Sequence, residues 1–190
     1  KIGVLGPNCT FTHSNVLTAQ EVDVIARSGM SITWCPSSSM VWAAGGTIHG
    51  RHAEMFRAGV NVGLGSDNAN SCGRFDPAFQ ACLAVLTARE KTKDRGILSF
   101  ENGLEMATVC GAKSVGMPQL LGSLEKGKKA DIVIRSRNLP EAQPGLDVIQ
   151  SLMFSAGSKS VDTVIIDGRV VLEGGKSTMI DEEKFYADAR

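Results

Sequence analysis

The strongest constraint on the fold is a repeated order in which a helix that ends at glycine leads directly into a short apolar strand. The first unit opens on a capping box at Thr18, and Gly29 ends its predicted helix. A β-prone run over 30–35 follows, and a proline with three serines then predicts a loop. The second unit places a predicted helix over 49–59 before a strand over 60–65. This order predicts parallel strands joined by crossover helices, which is the α/β class.

Two longer helices are predicted downstream of these units. Asp76 caps the first, with Pro77 in its first turn, and Ser99 caps the second, which is predicted as one helix over 100–116. The apolar side chains spaced along the first helix predict its buried face, which consists of Phe79, Cys82, Leu83 and Leu86.

A small β module is predicted after Pro118, where the composition changes. Two β-branched runs there meet at Asp167 and Gly168, which is a strong hairpin signal. The acidic tail predicts a short terminal helix. The predicted boundaries are 1–118 for the α/β part, 119–178 for the β strands and 179–190 for the helical tail.

Charge and cysteine content limit the classes of partner. The 20 basic residues balance 20 acidic ones, so no net field would draw the chain to nucleic acid or to an anionic membrane. The five cysteines are odd in number and lack CxxC spacing, which argues against a disulfide framework and a zinc knuckle and predicts free thiols in a cytoplasmic protein. Cys35 and Cys72 are interpreted as packing thiols. The sequence begins at Lys1 and is expected to be part of a longer protein.

Polar residues that could carry chemistry follow three predicted strands. His13 follows "CTFT", the segment 35–39 follows "MSITW", and Asp67 follows "VNVGLG". The carboxyl ends of parallel strands lie at one edge of a sheet, where α/β proteins bind ligands. Each residue alone has an ordinary interpretation, because an Asp after a strand is commonly a turn former and a lone His a structural residue. Their occurrence at one edge favours a site.

Other sites can be drawn from the same residues. Ser37, His13 and Asp67 could form a catalytic triad, although the GxSxG elbow is absent. His49 and His52 could bind a metal from one helix face, but they lack an acidic partner at matching spacing and are interpreted as part of a polar helix or loop rim. A phosphate-binding loop is excluded, because "GLGSDNANSCG" has neither the lysine nor the GxGxxG spacing.

Three blocks resemble, in order and spacing, the later half of the metal-dependent amidohydrolase superfamily: "THSNVLTAQEVDVIARSGMSITWCPSSSMVWAAGG", "MFRAGVNVGLGSDNANS" and "LEMATVCGAKSVGMPQLLGSLEKGKKADIVI". They are most similar to the branch of cytosine, guanine and adenosine-type deaminases and triazine chlorohydrolases. The resemblance implies that 1–118 is the C-terminal portion of a TIM-type (β/α)8 barrel, about strands six to eight, and that 119–178 is part of a small β-sandwich.

The resemblance also implies roles for the strand-end residues. Asp67 matches the aspartate that binds the metal and shuttles protons, and His13 matches the histidine beside the metal that orients substrate or water. The "CPSSS" segment matches a loop that lines the substrate pocket, with serine at position 39 where many relatives have asparagine. The implied catalytic residues are Asp67 and His13, with Asp67 as metal ligand. The predicted substrate contacts are His13, Ser38, Ser39, Asn70 and Arg74.

These roles imply a hydrolase acting on C–N bonds other than peptide bonds, by deamination or dechlorination of a nitrogen heterocycle, with one divalent metal, zinc in preference to iron. The family's HxH pair, its further histidine and the glutamate after it have no counterpart here, so the metal ligands are incomplete and the N-terminal barrel portion is required. The expected partners are a small heterocyclic substrate and further copies in a homo-oligomer, with no nucleic acid and no membrane. The alternatives are ring-amide hydrolysis and a truncated, catalytically incomplete module with a binding or structural role.

Overall fold

The computed structural model describes residues 3–144 and 147–189 and divides the chain into two units between Gly122 and Ser123. The first unit contains a parallel sheet of three strands, in the order β1 (Thr10–Thr12), β2 (Ser31–Trp34) and β3 (Asn61–Leu64). Thr10 pairs with Ser31, and Ser31 pairs with Asn61, so the strands are in register and their carboxyl ends lie at one edge. The predicted parallel sheet is confirmed.

Helices connect and cover these strands. They are α1 (Ala19–Ser28), α2 (Pro36–Val41), α3 (His52–Arg57), α4 (Ala69–Cys72), α5 (Pro77–Thr92), α6 (Phe100–Ala107) and α7 (Val109–Ser114). The predicted capping box between Thr18 and Glu21 is present, and Gly29 ends α1 with a left-handed φ of 73°. Asp76 caps α5 by accepting backbone N–H groups, as predicted. The capping residues therefore predicted both ends of α1 and the first turn of α5 correctly.

The segment after β2 is a helix, α2, where the sequence predicts a loop. Gln80 of α5 is buried and holds the start of this helix with both ends of its amide. The Ser37 N–H donates to Gln80 Oε1 at 3.2 Å, and Gln80 Nε2 donates to the Ser37 hydroxyl at 2.8 Å. The loop prediction was wrong because a contact from 43 residues away satisfies the backbone of the first turn.

The helix predicted over 100–116 is broken into α6 and α7. Thr108 stands between them with φ −124° and ψ −85°, outside the helical region. Asn61 of β3 donates through Nδ2 to the Cys110 carbonyl at 3.1 Å and to the Ser114 hydroxyl at 3.0 Å. These hydrogen bonds connect α7 to strand β3 of the sheet.

The buried face of α5 also differs from the prediction. Cys82 is buried as expected, but Phe79 and Leu83 are only half-buried and Leu86 is 39% exposed. The buried positions are mostly alanines, because α5 packs closely on α6 and small side chains permit that approach. The core of this unit consists of Val22, Ile25, Met30, Ile32, Trp34, Ala53, Met55, Val60, Val62, Ala84, Val85, Ala88, Leu98 and Met106.

The second unit is an antiparallel sheet with short helices. Its strands, in sheet order, are β4 (Ile132–Arg135), β5 (Val161–Ile166), β6 (Arg169–Glu173) and β7 (Lys176–Ser177). Its α-helices are α8 (Val148–Ser151) and α9 (Glu182–Asp188), and it also contains 3₁₀-helices over Pro140–Ala142 and Ser158–Ser160 and a π-helix over Leu152–Ala156. Asp167 and Gly168 both have positive φ in the tight turn between β5 and β6, which confirms the predicted hairpin. The assignment of these strands to a sandwich stays a prediction. Within the described residues, no helix is long and apolar enough to cross a membrane.

Candidate active site

The polar residues predicted to share one edge do lie there. His13 follows β1 directly, α2 follows β2, and Asp67 comes three residues after β3. His13 and Asp67 have left-handed backbones, with φ of 68° and 64°. Such values are uncommon for residues other than glycine and are found preferentially at functional sites, where surrounding contacts maintain them.

The Asp67 carboxylate is held by hydroxyl groups from two helices. Ser38 of α2 donates to Oδ2 at 2.5 Å, and the Ser71 hydroxyl of α4 lies 3.2 Å from the same oxygen. His13 Nε2 lies 3.7 Å from it, beyond hydrogen-bond range. The hydrogen bond from Ser38 is the main cause that lowers the pKa of Asp67, with smaller contributions from Ser71, His13 and the backbone of Asn68. Asp67 is therefore an ionised acceptor near neutral pH.

Cys35 lies close to Asp67 and is a buried, neutral thiol. Its side chain is 1% exposed, and the Asp67 backbone forms a hydrogen bond with it. Burial, with the nearby Asp67 charge, raises the pKa of Cys35 to about 11. The interpretation of Cys35 as a packing thiol agrees with this environment, because a protonated thiol is neither a nucleophile nor a metal ligand.

The other predicted site residues make different contacts. Ser39 is buried, and its hydroxyl lies 3.3 Å from Asn15 Oδ1 rather than near Asp67. Arg74 pairs with Asp76 at 2.8 Å and lies over the ring of Phe79. Asn70 is exposed on α4. The structure thus brings His13, Ser38 and Asp67 together. Substrate contact stays a prediction for all five residues, which are His13, Ser38, Ser39, Asn70 and Arg74.

The alternative triad gains no support from the geometry. The hydroxyl of Ser37 accepts from Gln80 Nε2 and from the thiol of Cys72, and the serines that contact Asp67 are Ser38 and Ser71. A triad would require the nucleophilic hydroxyl to be bonded to its base.

Sequence reasoning missed Ser71 as a contributor to the site, together with the contact that Trp42 makes with it. Ser71 was not singled out, although it lies four residues after Asp67, which is the spacing of one helical turn. Trp42 donates its indole N–H to the Ser71 hydroxyl at 3.2 Å. No local pattern links Trp42 to Ser71, because 29 residues separate them. Only the fold pairs them.

Two of the described side chains, Asp67 and His13, have the donor atoms that a metal site would need. Among residues 3–144 and 147–189, no group of three His, Cys, Asp or Glu side chains could hold a metal ion. Asp67 and His13 offer the oxygen and nitrogen donors that zinc accepts, and Asp67 is ionised, as a ligand must be. The donor chemistry of Asp67 therefore fits one position of a divalent-metal site, and its assignment as a metal ligand stays a prediction.

His52 is buried, so its interpretation as part of a polar rim is wrong. Only 1% of it is exposed, and α3 begins at this residue, which leaves the exposed His49 outside the helix. Its ring stacks on Trp34 with centroids 4.6 Å apart and planes 3° apart. Burial lowers the pKa of His52 from 6.5 to about 4, and the positive charge of Lys91 acts in the same direction. His52 is neutral at pH 7.

Acid is expected to destabilise the first unit through His52. The unfolded chain binds this proton near pH 6.5 and the folded chain near pH 4, so between these values the unfolded state holds more protons and stability falls as the pH falls. At pH 5 the loss relative to pH 7 is about 2 kcal/mol. Thermal unfolding of wild type and His52→Gln at both pH values measures it, with His49→Gln as control. Equal losses in wild type and His52→Gln would contradict the assignment.

Comparison with known proteins gives one consistent family. The model of the amidohydrolase family matches residues 1–171. A curated relative, the 5-methylthioadenosine/S-adenosylhomocysteine deaminase of Moorella thermoacetica, is 33% identical over 187 residues, which are 98% of this chain and 43% of the relative. The chain therefore spans less than half the length of that protein.

Solved structures agree in fold. An adenosine deaminase from Xanthomonas campestris with bound zinc superposes with a TM-score of 0.94 at 29% identity, covering 99% of this chain and 42% of that one. Atrazine chlorohydrolase from Arthrobacter aurescens with zinc gives 0.88 at 24% identity, covering 98% and 41%. The parallel unit thus has the fold of part of a (β/α)8 barrel, as the resemblance implied.

Proposed function

The chain belongs to the amidohydrolase family, and from that premise we propose that the whole protein is a metal-dependent hydrolase that removes an amino group from a nitrogen heterocycle. The observation that carries the proposal is the placement of Asp67. Its ionised carboxylate is fixed by Ser38 and Ser71 and faces His13, at the edge of the parallel strands where α/β proteins bind ligands.

The proposed metal is zinc, with Asp67 as one ligand and the others on residues outside this sequence. A divalent ion, when bound, supplies the Lewis acidity that makes water nucleophilic at neutral pH. The Asp67 carboxylate accepts the proton of the attacking water and returns it to the departing amine. The hydroxyl of Ser38 keeps Asp67 ionised and oriented, and His13 orients the substrate or the water beside it.

Deamination is preferred to dechlorination as the reaction. The chain is 33% identical to a deaminase and 29% identical to a second one of known structure. Its likeness to the chlorohydrolase, at 24% identity, concerns the fold alone. By the names of these relatives, we propose a 6-aminopurine nucleoside as the substrate class. Ser39, Asn70 and Arg74 are the proposed substrate contacts from this chain.

The test uses the intact protein purified with zinc and assayed for ammonia release. We expect turnover of adenosine, S-adenosylhomocysteine or 5-methylthioadenosine, together with about one zinc per chain. The same protein is incubated with a chlorotriazine and assayed for chloride release, which tests for dechlorination. Absence of zinc and of turnover on every compound would overturn the proposal in favour of a catalytically incomplete module with a binding or structural role.

Ser38→Ala is expected to lower kcat/KM by about 10- to 100-fold, as losses of outer-shell partners of metal ligands do. The substitution removes the 2.5 Å hydrogen bond that holds the Asp67 carboxylate. Steady-state kinetics on the intact protein measures the effect. Ser37→Ala is the matched control, because its hydroxyl contacts Gln80 and Cys72 and leaves Asp67 untouched. A larger loss in Ser37→Ala than in Ser38→Ala would contradict the role of Ser38.

Assembly and location are part of the proposal. A homo-oligomer in the cytoplasm is expected, with a small heterocyclic molecule as the partner. The five thiols, none of which is in a disulfide, are consistent with a reducing compartment. Size-exclusion chromatography with light scattering measures the oligomeric state.

A further inference from the structure

The backbone of His13 is in an unfavourable conformation that neighbouring contacts must maintain. His13 and Ser14 are consecutive residues with left-handed φ values of 68° and 51°. The left-handed conformation costs roughly 1–2 kcal/mol of free energy at each residue that is not glycine. The His13 N–H donates to the Thr33 carbonyl at 2.9 Å, which is one anchor. The N–H of the following peptide, which belongs to Ser14, donates to the Thr12 carbonyl at 3.0 Å, so the carbonyl of His13 is the group of this turn that a third contact can hold.

His52 provides this contact with the carbonyl of His13. Its Nε2 lies 2.5 Å from the carbonyl oxygen of His13. A carbonyl oxygen only accepts hydrogen bonds, so Nε2 carries the proton and donates it. The neutral ring then has an unprotonated Nδ1, which is buried and has no hydrogen-bond partner within the part of the chain that the structure describes.

The ring of His52 is packed against Trp34 and close to Gly50. The stack on Trp34 fixes its plane, and both side chains are almost fully buried. Gly50 lies close to the Nδ1 edge of the ring, since a Cβ at position 50 would be 2.7 Å from Nδ1. Lys91 of α5 bonds the Gly50 carbonyl and pairs with Glu54 of α3, which fixes the start of α3. The donor is therefore preorganised before any ligand arrives.

We propose that His52 is a positioning residue, whose Nε2–H holds the carbonyl of His13 and so keeps the left-handed backbone that aims the His13 imidazole at Asp67. The polar contact of His52 is to the carbonyl of His13, and the side chain that lies beside Asp67 is that of His13. The inference rests on the proposed function for the roles of His13 and Asp67, but its geometric content does not depend on activity.

The test compares variants of the intact protein in which the side chain at position 52 either can or cannot place an N–H group next to the His13 carbonyl. His52→Gln places an amide N–H near the original Nε2, whereas the side chain of His52→Asn is one methylene shorter. Both lose the stack on Trp34 and keep a polar side chain. We expect His52→Asn to lower kcat by about 10- to 100-fold with KM little changed, and His52→Gln to restore it.

Crystal structures of the two variants supply a readout independent of turnover. In His52→Gln the His13 φ is expected to stay near 68° and its Nε2 near 3.7 Å from Asp67 Oδ2. In His52→Asn the backbone is expected to leave the left-handed region and the separation to lengthen. His52→Phe keeps a ring on Trp34 without a donor and is expected to behave like His52→Asn, so it also decides the question if His52→Asn does not fold.

Specific outcomes would overturn the proposal. Equal kcat and equal His13 geometry in His52→Asn and His52→Gln would show that the donor is irrelevant, and wild-type behaviour of His52→Phe would assign the role to stacking. His13→Ala distinguishes failure of the role proposed for His13 from failure of the role proposed for His52. If it leaves kcat unchanged, the role of His13 in the proposed function fails, while the crystallographic comparison still decides whether His52 sets the His13 backbone.

Discussion

Asp67→Asn is expected to lower kcat/KM of the intact protein by about 10³-fold, within the range for removal of a general acid–base group. Asparagine has nearly the same shape and can still accept hydrogen bonds from Ser38 and Ser71, but it cannot take up the proton that the carboxylate carries. The loss should fall mainly on kcat, because the proton transfer is made in the transition state. Steady-state kinetics with ammonia detection measures it, and metal analysis of the same sample reports zinc per chain.

Asp23→Asn is the control for this substitution. Asp23 is exposed on α1, and its replacement makes the same change of charge away from the strand ends. We expect kcat/KM to equal that of wild type. If Asp67→Asn kept more than about a tenth of wild-type activity, Asp67 would not be the proton carrier.

Gly50→Ala is expected to destabilise the first unit by about 3 kcal/mol, at the upper end for overpacking a buried site. A Cβ at this position would lie 2.1 Å from the carbonyl oxygen of Gly46 and 2.7 Å from His52 Nδ1. The carbonyl belongs to the backbone and cannot rotate away as a flexible side chain would. The displaced ring of His52 should also lose its bond to His13, so activity should fall with stability.

Gly6→Ala is the matched control, since a Cβ there meets nothing within 4 Å. Its thermal unfolding midpoint should equal that of wild type, or rise slightly because alanine restricts the unfolded chain. Chemical denaturation of both variants gives the free energy of unfolding. A Gly50→Ala protein as stable as Gly6→Ala would show that the segment around Gly46 can move.

Several elements were predictable because their signals are local. Thr18 caps α1 through a residue three positions away, and Asp167 with Gly168 forms a turn whose backbone demands such residues. The strand end that carries Asp67 followed from the apolar run before it. Where the prediction was wrong, the deciding contact was distant in sequence, as with Gln80 at the start of α2 and Asn61 on α7.

The sequence by itself determined the order of elements, the parallel sheet and the edge at which His13 and Asp67 emerge, because capping, turn chemistry and hydrophobic periodicity act over a few residues. Only the tertiary structure decided that Ser38 and Ser71 hold Asp67, and that a buried, neutral His52 holds the backbone of His13. These contacts join residues on different elements, and their energies depend on burial and on distances of a few ångströms that no local pattern encodes.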